Sequence, residues 1–369
     1  VATLPVATIP SDVFGAIRIY ASMKRVIKMF RHILPVLLVL FVLVVARQIY
    51  PYSTFNNPTV EEGYEIEVIA KNLGGPTCLE WFNASALVVC DRDGGDVYIL
   101  DEEMDRRVLI SGLDRPHDVA ISSNQIFVSE AGTLSRYSHD GALGNVQNRT
   151  ILVEGIEVWG SHQTNAVNIL PNGTLVWHSG STCNVCDEDD RRNAALLWVN
   201  SSTGEHGVLA SGVRNSFDGV WVPSIGYVFT DNGRDWDGDH PDEELNLLVE
   251  GGDYGWPNDT PANPRPKGSI APIATWTPHS SMNGVAHRPP NSPLPGGDTT
   301  VYATVYGSWN SPLPHGHEIV RIDLDSSSGE VIGTTSVFAE DLGTPLPIAF
   351  HPNGDLYFAV FGSNGKLYK

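Results

Sequence analysis

His162 stands in Gly160-Ser161-His162-Gln163-Thr164-Asn165, and its imidazole titrates near neutrality, so it could take a proton from a hydroxyl group. A lone histidine is more commonly satisfied within a loop, and that alternative stays open on the residue alone. Arg214-Asn215 precedes a strand-like run, and the guanidinium fork suits carboxylate-type oxygens. Its plainer alternative is a salt bridge to Asp218 or Asp231. The loop 231–239 reads DNGRDWDGD and is dense in hard oxygen ligands. Calcium takes about six to eight of these, from carboxylates, carbonyls and water. The spacing is no EF-hand, since the glycine falls at the wrong place and no glutamate closes the loop. A solvated acidic loop would explain 235–242, but not the Asp242-Glu243-Glu244-Leu245-Asn246 and Tyr254-Gly255-Trp256-Pro257 segments that follow.

The elements that position these residues are short strands. No sustained 3.6-residue apolar period runs through the body. Apolar runs bounded by Gly, Asn, Asp or Pro recur instead. One unit repeats loosely at 75–100, 115–137, 162–180, 215–233, 283–310 and 344–368. Each copy has a Gly- or Pro-containing entry, a strand, a turn, and a second strand carrying aromatics. Six copies at this spacing predict an all-β, six-bladed β-propeller over 61–369. The segment GYEIEVIA (63–70) precedes the first copy and is expected to supply the outer strand of the last blade. Residues 47–60 read as a linker. In such a ring, residues just before each inner strand meet at one mouth, which would gather His117, His162, Asn215 and Thr344.

The chain has 369 residues, of which 41% are apolar and 18% charged, so it can bury a sizeable core. Its net charge is −20, with Arg18, Lys24, Arg25, Lys28 and Arg31 clustered at the start beside Asp12. Without those six residues the body carries −24, which repels nucleic acid and anionic membrane. The apolar run Ile33–Ala46 follows the basic segment and is short for the about 20 residues of a membrane span. It reads as a signal-peptide core within a 1–46 extension, or as an uncleaved anchor; either reading exports the body and limits membrane contact to this segment. Asn83, Asn148, Asn172, Asn200 and Asn258 head glycosylation-type triplets. The four cysteines suggest a Cys78–Cys90 bridge across a hairpin and a Cys183–Cys186 loop bridge. A zinc knuckle at Cys183/Cys186 lacks a second ligand pair.

The order Arg-Asn, strand, acidic loop, DEELN, Gly-Gly, Tyr-Gly-Trp-Pro (212–257) resembles the soluble quinoprotein glucose/sorbosone dehydrogenases. The segments SGSTCNVCDEDDRRNAAL (179–196), HSSMNGVAHRP (279–289) and YGSWNSPLPHGHEIVRI (306–322) are similar to the sorbosone-type branch. The resemblance implies pyrroloquinoline quinone and calcium as cofactors, a sugar or polyol substrate and a separate electron acceptor. It makes His162 the general base and assigns Gln163, Arg214 and Asn215 to the quinone. The carbonyls of Gly233 and Arg234 would hold the catalytic calcium, and Glu244 with the Tyr254 carbonyl a structural one. The chain departs from the family where cations usually surround the quinone: Ser311, Glu318 and Thr344 replace them, and Ser161 stands where Asp is frequent. These losses keep a second reading in play, a non-catalytic calcium-binding propeller that takes a glycan or a protein. A calcium-dependent propeller hydrolase is a third, but a convincing set of converging side-chain ligands is missing.

Overall fold

The second strand of each repeat is built on a run of apolar residues because it lies in mid-sheet with both faces covered. Ala86–Asp91, Leu175–Ser179 and Thr300–Val305 are buried along their whole length. Outer strands such as Arg106–Ser111 are mostly exposed and carry the charges. The computed structural model describes residues 28, 30–45, 58–160, 162–235, 238, 240–308 and 315–369. Thr54–Lys369 forms one unit and Val1–Ser53 another.

The larger unit is a six-bladed β-propeller, as the repeats predict. Its innermost strands are Pro76–Asn83, Asp118–Ile121, Thr164–Ile169, Gly219–Val222, Met282–His287 and Pro345–Phe350. Each is followed outward by antiparallel neighbours in chain order. The last blade is closed by Val68–Lys71, which pairs with Lys366–Tyr368, so the 63–70 segment does supply its outer strand. One boundary needs correction. Thr59–Val60, assigned to the linker, pairs with Glu340 and Ala339 as a fifth strand on blade five. Two β-branched residues against an open sheet edge suffice for that pairing.

The core consists of six apolar clusters, one in each seam between neighbouring blades. Trp177 is fully buried between blades two and three, and its Nε1 donates to Ser129 Oγ at 2.8 Å. Burying each Leu, Val or Ile contributes roughly 1.5–3 kcal/mol, so the seams dominate the cohesion of the ring.

Four innermost strands carry a register shift near their first residues, at Pro76/Cys78, Thr164/Val167, Met282/Val285 and Pro345/Ile348. Such bulges bend a strand and leave a backbone group unpaired. The preceding blade supplies the partner in two cases. Asp118 Oδ2 accepts from Val167 N at 2.9 Å, and Asp218 Oδ2 from Val285 N at 3.0 Å. These carboxylates pin neighbouring blades together where the chain turns toward the mouth.

Cys78 and Cys90 are cross-strand partners and form a disulfide, and Cys183 bonds Cys186. All five triplet asparagines are exposed. In the smaller unit residues 30–45 are helical and expose their apolar side chains. Among the described residues no helix is long and apolar enough to cross a membrane. The readings that fall on residues 1–27 and 46–57 lie outside the described residues.

Candidate functional site

The segment Trp159–His162 leads into the bulged first strand of blade three, with the Trp159 and His162 backbones bridged to each other. The His162 ring is buried, and its Nδ1 lies 2.8 Å from Ser181 Oγ. Ser181 has one hydroxyl proton and donates it to the Cys183 carbonyl at 2.7 Å. It must therefore accept from Nδ1–H, which leaves the lone pair on Nε2. Burial, and then the Arg214 charge, hold the imidazole down at about 3, so it is neutral at physiological pH. Trp159 is 45% exposed and meets His162 edge-on at 5.1 Å.

Gly180 lies between His162 and Asn215. A side chain there would come within 3.0 Å of Asn215 Oδ1 and 3.1 Å of His162 Cβ, so glycine lets the two approach without either being displaced. Asn165 Nδ2 donates to Asn215 Oδ1 at 3.1 Å. Asp231 holds the dipeptide by its backbone, accepting from Arg214 N at 3.0 Å and Asn215 N at 2.7 Å. The Arg214 guanidinium does not pair with Asp218 or Asp231. It bonds Asp235 Oδ2 at 3.0 Å, Asn184 Oδ1 at 2.9 Å, Asn184 O at 3.2 Å and Asn232 O at 3.4 Å. Those contacts use four of its five N–H groups, and one remains for a ligand.

Gly233, Glu244 and Tyr254 share one small cavity with Asp231, Asp242 and Asp259. Its volume is about 10 Å³, the space of one water or one monatomic ion. Burial first, with Asp259 and Asp242 adding to it, raises Glu244 to about 7. Burial and then Glu244 push Asp231 well above the usual carboxylate range. Arg214 also lines the cavity and offsets part of the Asp231 charge; the remaining buried carboxylate charge needs a cation or a proton, and the oxygen groups around a one-ion volume fit calcium. Gly233, expected at one calcium position, lies in the same cavity as Glu244 and Tyr254, expected at the other. The Arg234 guanidinium reaches the Pro257 and Asp259 carbonyls.

The mouth positions do converge. Gln163 Nε2 donates to the Arg115 carbonyl at 3.0 Å, and Arg92 Nε lies 3.4 Å from Gln163 Oε1. The Arg92 guanidinium stands 5.9 Å over the Phe361 ring, and Phe361 O accepts from Thr344 Oγ1 at 2.7 Å. His117 lines the central channel, a cavity of about 430 Å³ whose walls also carry Glu80, Asp118 and Asp218. Glu318 accepts from Trp276 Nε1 at 2.7 Å. Ser161 and Ser311 lie outside the described residues. Sequence reasoning missed Arg92, Ser181 and Asn184. Arg92 sits in an ordinary Asp-Arg-Asp-Gly-Gly turn, whereas Asn184 was signalled by the two cysteines that flank it and Ser181 stands two residues before the first of them.

No known family profile matches the chain. An uncharacterized protein of Borreliella burgdorferi is 26% identical over 221 residues, covering 54% of this chain and 57% of its own length. The chain thus spans little more than half of that relative. Among solved structures, the calcium structure of the Trichoderma reesei carbohydrate-active enzyme of family AA12 superposes with a TM-score of 0.71 at 19% identity, over 86% of this chain and 98% of that one. The PQQ domain of pyranose dehydrogenase from Coprinopsis cinerea gives 0.72 at 17%, over 85% and 97%. The PQQ-bound aldose sugar dehydrogenase of Streptomyces coelicolor gives 0.66 at 16%, over 84% and 99%. At these identities the likeness shows a shared propeller fold.

Proposed function

We propose that this chain oxidises a sugar or polyol hydroxyl with pyrroloquinoline quinone and calcium. The observation that carries the reading is the neutral His162, with its Nε2 lone pair at a mouth that also holds a one-ion acidic cavity. The like-folded PQQ-bound aldose sugar dehydrogenase and pyranose dehydrogenase PQQ domain support the choice of cofactor. In this reading His162 Nε2 takes the hydroxyl proton as hydride leaves the same carbon. The quinone, when bound, supplies the two-electron acceptor. Gln163, Arg92, Asn215 and the one uncommitted Arg214 N–H would hold it, and Gly233, Glu244 and Tyr254 would hold calcium with Asp231, Asp242 and Asp259. The exposed Trp159 face beside the base offers a stacking surface for a sugar ring. The two disulfides and five exposed asparagines support an oxidising, extracytoplasmic setting.

A second reading, a calcium-binding propeller that takes a glycan or a protein, is favoured by the thinned cation set. The Thr344 hydroxyl is engaged with Phe361, Glu318 with Trp276, and Arg214 is mostly committed. Titrating purified protein with calcium and the quinone separates the two. The oxidoreductase reading expects a bound-quinone spectrum and aldose-dependent dye reduction; calcium binding with no quinone uptake would select the second.

A further inference from the structure

We infer that the loop 181–186, closed at 183–186 by its disulfide, is the positioning element of this site, acting on the base through Ser181 and on both Arg214 and the calcium loop through Asn184. The roles of those groups rest on the reading above, but the geometry does not. Asn184 makes five hydrogen bonds that reach three separate segments. Its Oδ1 accepts from Arg214 Nη2 at 2.9 Å and from Asp235 N at 2.8 Å, while its Nδ2 donates to Asp235 O at 3.3 Å. Its backbone carbonyl accepts from Arg214 Nε at 3.2 Å and Trp256 Nε1 at 3.1 Å. Asp235 opens the far half of the acidic loop, and Trp256 lines the one-ion cavity.

Only a short side chain with an acceptor and a donor at one end can make all three side-chain bonds. Aspartate lacks the donor, and alanine lacks both. One residue before Asn184, the Cys183 carbonyl takes the Ser181 proton and thereby sets the His162 tautomer. The Cys183–Cys186 bond spans Asn184 and restrains the backbone that carries both functions. A loop serving only to cap the blade would be indifferent to which atoms face His162 and Arg214.

The test uses the full chain without quinone. In wild type, ¹⁵N spectra of the His162 ring, assigned by its loss in His162→Ala, should show Nδ1–H alone. Ser181→Ala should give a mixed tautomer with the thermal midpoint little changed. Asn184→Ala and the Cys183→Ser/Cys186→Ser pair should move the Arg214 Nη2–H resonance, whose partner is Asn184 Oδ1, and weaken calcium binding about 10-fold, the scale at which outer-shell partners act. Asn184→Asp should keep the Arg214 signal near its wild-type position and still lose calcium affinity. An unchanged His162 tautomer in Ser181→Ala, or an unchanged Arg214 resonance in folded Asn184→Ala, overturns the inference. Should Asn184→Ala not fold, Ser181→Ala and Asn184→Asp decide it. A wild type that binds no calcium would count against the proposed function alone, since the ring and guanidinium signals are read without metal.

Discussion

His162 is neutral because its ring is buried and faces Arg214, and its protonation is displaced to about pH 3. If the chain is a sugar dehydrogenase, kcat/KM should therefore show no acid limb from this group between pH 5 and 8; a limb near 6.5 that His162→Ala abolishes would contradict the buried geometry. That substitution should lower turnover about 10²–10⁴-fold, the usual contribution of a general base. Quinone uptake, measured by absorbance, should stay largely intact, because the ring acts on the substrate proton. The acidic cavity around Glu244 makes a second prediction at this scale. Calcium should raise the thermal midpoint and chelator should lower it, with or without quinone, since a ligand of the native state alone stabilises by mass action. An unchanged midpoint in excess chelator would mean that the carboxylates hold protons, not a cation.

At the scale of elements, the bulged innermost strands are held by side chains from the blade before. Asp118→Ala would leave the Val167 N–H buried without its partner and should cost about 1–3 kcal/mol in urea unfolding. An exposed change such as Glu103→Ala should cost far less. The strands themselves were legible in the sequence. Two-sided burial writes continuous runs such as ALVVC, and turn residues punctuate them at a regular interval, so all six repeats and the closing strand could be read. Thr59–Val60 escaped because two residues on an edge leave no periodic pattern. The site was legible only as residue types. That His162, Asn215 and Thr344 share a mouth follows from equivalent positions in the repeat, but the commitments of Arg214 do not. Asn184 and Asp235 reach it across blades, and contacts between distant loops leave no spacing for a linear reading to find.

Glu80, Asp118 and Asp218, from three blades, line the central channel of the whole ring. Burial pushes Glu80 and Asp218 up to about 7 in the channel, and Asp118 is raised as well. The folded protein thus keeps protons that the unfolded chain has already released, and stability falls as pH rises through 7. His117, His162 and His178 are lowered to about 3 and act in the opposite sense, but only below the unfolded value near 6.5. Between pH 6.5 and 7.5 the unfolded imidazoles lose the last of their protons, while the raised carboxylates, Glu243 and Glu244 among them, still hold part of theirs in the fold; the carboxylates outweigh the histidines and the urea midpoint should drop across that interval. Glu80→Gln should flatten the drop in part, and an equally steep profile in that variant would rule out Glu80 as a source of it.

The ring is closed at one place by segments from far apart in the chain, where Val68–Lys71 lies beside Lys366–Tyr368. Val68 is opposite Tyr368, and Glu67 and Lys369 exchange both backbone hydrogen bonds beyond them. In this antiparallel arrangement a load applied just before Glu67, past the Thr59–Val60 strand, and at Lys369 pulls on the same end of the ladder. The bonds would then yield one after another, like a zipper, not together as in shear. Under tension the propeller should part first at this seam and at low force, while a load across the internal pair Ala86–Asp91 and Asp96–Leu100 meets a blade whose strands follow one another directly.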